Sequence, residues 1–269
     1  MTTPPNLRPE AFAGTAEAYL RWRPAYPASL LGDLVARAAP PPTGAVLVDL
    51  ACGPGRVALD LAAAFETVIA VDLEPEMVAV GRREAERRGV AHVEWRVGGA
   101  EDLELAPTSV DLVTVGEAFH RLDQGRVAAR ALAWLKPGGG FATLGTEGLL
   151  DGREPWQRTV AETARAFMPE GWVQAAPGAE PAVEGFERVL RAAGFEAVAS
   201  QDFSEPHAWS LAAILGYLSS TSVCSPGALA GRRGDFEASV RRALLTEHGA
   251  GPFHETLRAG YTLGRKPRD

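Results

Sequence analysis

The chain has 269 residues, of which 46% are hydrophobic and 23% charged, and its formal net charge at pH 7 is -7. These values indicate a globular protein and disfavour a nucleic-acid partner held by bulk positive charge. No apolar run approaches the ~20 residues that a membrane-spanning helix needs, and no signal peptide is visible. We therefore expect a cytoplasmic protein with no membrane partner, and no disulfide between the distant Cys52 and Cys224.

Short apolar runs alternate with helical stretches in the first part of the chain. The predicted strands span residues 45–50, 67–73, 92–97, 110–115 and 141–145. The predicted helices span residues 30–39, 56–65, 75–88 and 124–135, and a turn at residues 136–140 closes the last of them. This order predicts a parallel sheet with helices on both faces and right-handed crossovers.

The regular alternation of strands and helices ends after residue 145. We predict helices at residues 155–167, 183–193, 211–218 and 235–246, a loop at 169–181, and strands at 195–203 and 256–263. A set of apolar residues near the third of these helices is expected to form core or a pocket wall: Trp209, Leu211, Ile214, Tyr217 and Leu218.

The whole chain, residues 1–269, is predicted to be a single α/β domain. Its expected fold is Rossmann-like and doubly wound, with a mostly parallel seven-stranded sheet and helical lid insertions. The insertions at about residues 150–180 and 205–250 are expected to cover the ligand end of the sheet, in a monomer or a homodimer.

The most informative segment is residues 46–56, which reads Val-Leu-Val-Asp-Leu-Ala-Cys-Gly-Pro-Gly-Arg. This segment reads as a strand followed by a tight turn with two glycines and the start of a helix. A nucleoside-like ligand can contact the backbone of such a turn because no side chains cover it. The loop also fits the dinucleotide pattern G-x-G-x-x-A. However, Asp49 lies four residues before Gly53, where its charge would repel a pyrophosphate. S-adenosylmethionine, which carries an ammonium and a sulfonium, removes this conflict, and Asp72 after the next strand can accept both ribose hydroxyls.

Five segments in this order resemble the class I S-adenosylmethionine-dependent methyltransferases, and within them the small-molecule branch that includes trans-aconitate-methyltransferase-like proteins. They are residues 19–27, 49–55, 71–73, 116–120 and 136–139. The resemblance covers the predicted cofactor-binding core, residues 17–147, well and the remainder only in outline. It implies S-adenosyl-L-methionine as the cofactor, S-adenosyl-L-homocysteine as the product and a small-molecule methyl acceptor.

The resemblance also implies a set of cofactor-binding residues. Tyr19 and Arg23 approach the methionine end of the cofactor in the family, and Gly99 stands where many relatives carry an acid for adenine, so that contact falls to Ala100 and Glu101. The full implied set is Tyr19, Arg23, Asp49, Ala51, Gly53, Gly55, Asp72, Leu73, Met77, Ala100, Glu101 and Gly116.

The candidate catalytic residues are His120 and Glu117, just past the fourth strand. A neutral imidazole can take a proton near pH 7, so His120 is a general base or a substrate-orienting group; alternatively it bonds the loop backbone. Glu117 anchors a polar substrate, contacts the cofactor or caps the loop. Relatives often carry an amide and an indole where this chain has Glu117 and Arg121, which hints at a charged or hydroxyl-rich acceptor.

The leading interpretation is a methyltransferase that acts on oxygen, nitrogen or carbon of a small molecule in the biosynthesis of a specialised metabolite. Two alternatives are a nicotinamide-dependent oxidoreductase, which Asp49 disfavours, and a non-catalytic S-adenosylmethionine-binding protein. A nucleic-acid methyltransferase is a further one, but no Asn/Asp-Pro-Pro-Tyr/Phe motif is evident. No metal is expected, because the histidines show no strong ligand spacing.

Overall fold

The computed structural model describes residues 9–168 and 182–268. The chain divides into two compact units. The first comprises Met1–Ala25, Glu147–Ala176 and Ser204–Arg258, and the second comprises Tyr26–Thr146, Pro177–Phe203 and Ala259–Asp269. The two predicted insertions therefore fall almost wholly in the first unit; the lid that they were predicted to form stays a prediction.

The strands form one seven-stranded sheet in the order β3-β2-β1-β4-β5-β7-β6. They are β1 (Val46–Leu50), β2 (Thr67–Asp72), β3 (Val93–Val97), β4 (Val110–Gly116), β5 (Leu135–Thr146), β6 (Glu196–Trp209) and β7 (Phe253–Arg265). Strands β1 to β5 pair in parallel, whereas β7 runs antiparallel to β5. The predicted Rossmann-like, mostly parallel seven-stranded sheet is thus confirmed.

The α-helices alternate with the strands in the first half of the chain and cluster in the second. They are α1 (Ala16–Trp22), α2 (Ala28–Ala38), α3 (Arg56–Leu61), α4 (Pro75–Arg88), α5 (Gln124–Trp134), α6 (Pro155–Arg165), α7 (Ala182–Ala192), α8 (Leu211–Ser219), α9 (Pro226–Leu229) and α10 (Arg233–His248). None of the helices in the described ranges is long and apolar enough to cross a bilayer.

Both faces of the central strands are buried in the second unit. Leu47 of β1 packs in one apolar cluster with residues of α2 and α3, whereas the next residue, Val48, packs in another with residues of α5. Alternation is expected because successive side chains of a strand point to opposite faces. The order of strands reverses at β1, so the loop after β1 lies at the switch point where α/β sheets bind ligands.

The first unit has its own apolar core around α6, α8 and α10. Trp209, Ile214, Tyr217 and Leu218 are buried in it, which agrees with the core alternative for these residues, and Leu211 packs against them half-buried. Trp209 ends strand β6 and does not lie on the helix.

The turn predicted at residues 136–140 is wrong, because this segment lies within β5. Val110 pairs with Leu135 but Leu112 pairs with Gly140, so the glycine-rich residues form an irregularity in a continuous strand. Their backbone finds partners elsewhere: Gly138 N donates to Lys266 O at 3.0 Å, and Lys266 N donates to Gly139 O at 2.9 Å. The backbone hydrogen bonds of this glycine-rich segment are therefore made with residues that lie more than a hundred positions away in the chain.

Other boundaries differ less. Helix α3 ends at Leu61 and continues as a 3-10 turn over Ala62–Ala64, β6 and β7 extend beyond their predicted bounds, and α1 was not predicted. The loop predicted at residues 169–181 lies outside the described residues. Cys52 and Cys224 are both buried and unpaired.

Candidate cofactor and acceptor site

The loop after β1 has an unusual backbone. Ala51, Gly53 and Gly55 have φ values of 49°, 55° and 78°, in the left-handed region that favours glycine. Cys52 N donates to Val71 O at 3.0 Å and Gly55 N donates to Cys52 O at 2.9 Å, so the loop is tied to β2 and closed on itself. Because an alanine is held in a left-handed conformation, the surrounding contacts determine the shape of this loop.

Asp49 lies beneath the loop and is only 1% exposed. Its Oδ1 accepts a hydrogen bond from Thr114 Oγ1 at 2.7 Å, and its Oδ2 accepts one from Ala58 N at 3.1 Å. Burial raises the pKa of Asp49 to about 7, against the two hydrogen bonds that lower it. The carboxyl group therefore joins β1, β4 and the first turn of α3, and its contact with a cationic ligand stays a prediction.

Asp72 receives two backbone hydrogen bonds at the end of β2. Its Oδ2 accepts from Gly53 N at 2.7 Å and its Oδ1 from Glu74 N at 2.9 Å. Burial raises the pKa of Asp72, while these bonds and the charge of Arg121 lower it. Each carboxylate oxygen can accept a second hydrogen bond, so both remain able to accept one from a ribose hydroxyl.

An exposed apolar pair adjoins Asp72. Leu73 is 51% exposed, and Val97, whose Cα pairs with that of Asp72 across β2 and β3, is 54% exposed. Apolar side chains beside a hydroxyl-accepting carboxylate match the two parts of a nucleoside, so these residues fit the adenosyl group of the implied cofactor. Sequence reasoning missed Val97; the available signal was an apolar residue at the carboxyl end of a strand next to Asp72.

The remaining predicted cofactor residues of the second unit surround the loop or brace it. Met77 is buried, and its Sδ lies 4.0 Å from where a Cβ on Gly53 would be. Ala100 is buried, and Glu101 Oε1 accepts from Asp123 N at 3.1 Å, which binds Glu101 to the start of α5. A Cβ on Gly116 would lie 2.9 Å from Val57 Cγ2 and 3.1 Å from the Tyr26 hydroxyl, so any larger residue there would displace these side chains.

Tyr19 and Arg23 belong to the first unit. The Arg23 guanidinium lies over two aromatic rings, 4.7 Å from the Tyr19 centroid and 4.6 Å from that of Tyr217. Its Nε donates to Ser220 Oγ at 2.9 Å. These contacts fix the orientation of the planar cation; its role toward the methionine end of the cofactor stays a prediction.

Glu117 joins the ends of two strands. Its Oε1 accepts from Thr146 N at 2.7 Å and from Thr146 Oγ1 at 2.6 Å, while its own N donates to Leu144 O at 2.9 Å. Its φ of 58° is strained for a residue with a side chain. Of the three alternatives, capping of the loop is the one that these contacts favour.

We expect Glu117→Gln to keep normal turnover, since the amide oxygen can still accept both hydrogen bonds. Glu117→Ala should lower the free energy of unfolding by about 1–3 kcal/mol, because the Thr146 donors lose their acceptor. Thermal denaturation and steady-state kinetics of both variants check this. Loss of turnover in the glutamine variant with an unchanged melting temperature would instead indicate that the carboxylate anchors the substrate.

His120 lies on the 3-10 helix Phe119–Arg121, directly after β4. Its side chain is exposed, and within the described ranges its ring makes no hydrogen bond, so the backbone-bonding alternative is not observed there. Partial desolvation by surrounding protein atoms, followed by the charge of Arg121, lowers the pKa of His120. Phe119 is buried and its ring centroid lies 5.4 Å from that of Phe141, which anchors the segment in the core.

A metal centre finds no support in the part of the chain that the structure describes, where no group of three or more His, Cys, Asp and Glu could hold an ion. The pair Glu247 and His248 has a structural role. Thr159 Oγ1 donates to Glu247 Oε2 at 2.8 Å and lies 2.8 Å from His248 Nε2, which joins α6 to α10.

Both the sequence and the fold of the chain are similar to those of known proteins. Residues 47–139 match the family described as "Methyltransferase domain". The chain is 37% identical over 179 residues to the ubiquinone/menaquinone biosynthesis C-methyltransferase of Rubrivivax gelatinosus, covering 62% of this chain and 69% of that protein. It is 33% identical over 152 residues to an uncharacterised methyltransferase of Mycobacterium bovis, covering 56% of this chain and 58% of that protein.

Among solved structures, a putative type II methyltransferase from Anaeromyxobacter dehalogenans superposes with a TM-score of 0.63 at 25% identity, over 92% of this chain and 99% of that one. The two chains therefore share the same overall fold. From the sheet, the loop and the relatives together, the chain belongs to the class I S-adenosylmethionine-dependent methyltransferases, and its cofactor is S-adenosylmethionine.

Proposed function

We propose that this protein transfers a methyl group to an oxygen, nitrogen or carbon atom of a small organic acceptor, with His120 taking the acceptor's proton. The observation that carries the role of His120 is an exposed imidazole with a lowered pKa on the 3-10 turn at the carboxyl end of β4, which the buried Phe119 anchors. When bound, S-adenosylmethionine supplies an already activated methyl group on a positive sulfur. The protein's task is then to align the acceptor, exclude water and hold a proton acceptor in place.

The residues around the glycine loop divide this task. Asp72 binds the ribose hydroxyls, and Leu73 and Val97 offer an apolar surface for the adenine ring. Asp49 contributes negative charge beneath the loop, and the backbone of Gly53 and Gly55 lines the cofactor site. The remaining implied contacts, including those of Tyr19 and Arg23 with the methionine end, are part of the same proposal.

The acceptor is proposed as a small molecule, in the biosynthesis of a specialised metabolite. The Rubrivivax relative, whose name refers to ubiquinone and menaquinone biosynthesis, supports a small organic acceptor. Arg121 beside His120 supports a polar or anionic group on it. We further propose that the protein acts in the cytoplasm as a monomer or a homodimer, and the net charge of -7 supports the absence of a nucleic-acid partner.

Two measurements on the wild-type protein test the proposal. In titration calorimetry we expect S-adenosylhomocysteine to bind and a nicotinamide dinucleotide not to bind. Methyl transfer from labelled S-adenosylmethionine is then measured on a panel of phenols, amines, carboxylic acids and acidic carbon compounds. Uptake of the dinucleotide alone would contradict the proposal, and tight cofactor binding without transfer to any compound would favour the non-catalytic alternative.

A further inference from the structure

The indole ring of Trp95 on β3 lies in a gap between the glycine loop and helix α4. A Cβ built on Gly55 would lie 2.3 Å from Trp95 Cη2, and one built on Gly81 would lie 2.4 Å from both Cη2 and Cζ3. Carbon atoms without a bond do not approach this closely. The six-membered part of the ring therefore requires glycine on both sides.

Gly81 is buried in the middle of α4, a helix of 14 residues. Glycine at such a position is less favourable than alanine by roughly 0.5–1 kcal/mol. A Cβ at this position would also lie 3.2 Å from the carbonyl carbon of Pro54. The missing side chain thus lets the backbone of α4 approach the backbone of the glycine loop, and the approach explains a residue that the helix itself disfavours.

Trp95 is itself fixed to the sheet. Its Cα pairs with that of Ala70 on β2, its carbonyl oxygen accepts from Arg82 Nη2 at 3.0 Å, and its ring packs against the core cluster that contains Val57 and Ala58. A shift of β3 or of α4 would therefore move the ring against the glycine loop. Met77, one turn earlier on α4, is also next to the loop, with its Sδ at ordinary contact distance, 4.0 Å, from where a Cβ on Gly53 would be.

We propose that Trp95 and Gly81 are positioning residues for S-adenosylmethionine: together they fix the backbone between Gly53 and Gly55 in its ligand-binding shape. A loop that is held in shape loses less conformational freedom on binding, which increases affinity. The proposal rests on the proposed function, because it takes the glycine loop as the cofactor-binding loop. Neither residue is catalytic, so their substitution should change the affinity for the cofactor and not the rate of methyl transfer.

The first test is Gly81→Ala, whose methyl group meets the indole ring and displaces the ring or the loop. We expect the Kd of S-adenosylhomocysteine, measured by calorimetry, to rise by about tenfold, with kcat at saturating S-adenosylmethionine unchanged. The matched control is Gly32→Ala in the middle of α2, where a Cβ meets nothing within 4 Å. That control should keep the wild-type Kd, and a Gly81→Ala variant with the wild-type Kd overturns the proposal.

The second test is rescue. Phenylalanine at position 95 lacks the Cη2 and Cζ3 atoms that the new methyl group would meet, so Gly81→Ala combined with Trp95→Phe should recover most of the lost affinity. Trp95→Phe alone should weaken binding with the circular dichroism spectrum unchanged, which keeps the proposal testable if Gly81→Ala does not fold. A double variant as weak as the two effects combined, or a single Trp95→Phe with wild-type Kd, overturns it. Failure of the proposed function is a separate result, because the wild-type protein would then not bind S-adenosylhomocysteine.

Discussion

Replacing His120 with glutamine should lower kcat by about a hundredfold, the lower range of what a positioned general base contributes. The Kd of S-adenosylmethionine should stay unchanged, because the imidazole serves the acceptor. Glutamine keeps a hydrogen-bonding group of similar size but cannot take a proton. His120→Ala should therefore have the same effect on kcat and a larger effect on the KM of the acceptor.

The pH dependence gives a second measurement of the same role. Only the neutral imidazole accepts a proton, and its lowered pKa in the acceptor-free protein should place the acidic limb of the kcat/KM profile for the acceptor below the ordinary histidine value of about 6.5. This limb should disappear in His120→Gln. The exposed His254 provides the matched control, since His254→Gln changes a histidine elsewhere in the chain and should leave the profile intact. An unchanged kcat in both His120 variants would remove the residue from the mechanism.

Asp49→Asn should weaken S-adenosylmethionine binding by about tenfold or more at pH 8, because a buried negative charge near a cationic ligand is lost. The fold should survive. The amide oxygen can accept from Ala58 N, and the amide nitrogen can donate to Thr114 Oγ1, whose hydroxyl can reverse its direction. Calorimetry at several pH values measures the effect.

The sign of the pH effect follows from the raised pKa of Asp49. A positive ligand favours the ionised carboxyl, so the wild-type protein should release a proton on binding and gain affinity as the pH rises through about 7. This gain should be absent in Asp49→Asn. Asp102→Asn is the control, since the Asp102 side chain is 79% exposed. Identical affinities and pH profiles for the wild type and Asp49→Asn would show that the charge does not act on the ligand.

The same pKa affects the stability of the ligand-free protein. An aspartate is ordinarily ionised above about 3.9 in the unfolded chain, whereas folding keeps Asp49 protonated up to about pH 7. The contribution of this group to the free energy of unfolding therefore falls as the pH rises between these values. Asp49→Asn should unfold at a higher temperature than the wild type at pH 8, and this difference should vanish at pH 3.

The sequence predicted the central sheet well because the signals there are local. Short, mostly apolar runs form β1, β2 and β4, and helix α4 has the predicted bounds, with proline in its first turn and glycine directly after Arg88. The position of Asp49 and Asp72 at the carboxyl ends of β1 and β2 follows from the same pattern.

What the sequence could not provide is contact between distant residues. The burial of Asp49 depends on Thr114 of β4, and the position of the Glu117 carboxylate depends on Thr146 at the end of β5. Trp95, which lies between two glycines, carried no signal because its neighbours are separated from it by 14 and 40 residues. Such contacts depend on how strands and helices pack, and a single sequence contains no direct record of that packing.

The anchoring of Phe119 has a consequence for protein engineering. Its ring lies 5.4 Å from that of Phe141 and 5.1 Å from that of Phe186, so the turn after β4 is secured by an aromatic side chain that faces inward. Substitutions at the residues next to Phe119 leave this aromatic anchor in place. Saturation mutagenesis at Arg121 with Phe119 kept constant is therefore a route to variants that methylate a different range of compounds, and cofactor affinity is measured alongside because the Arg121 charge also acts on Asp72.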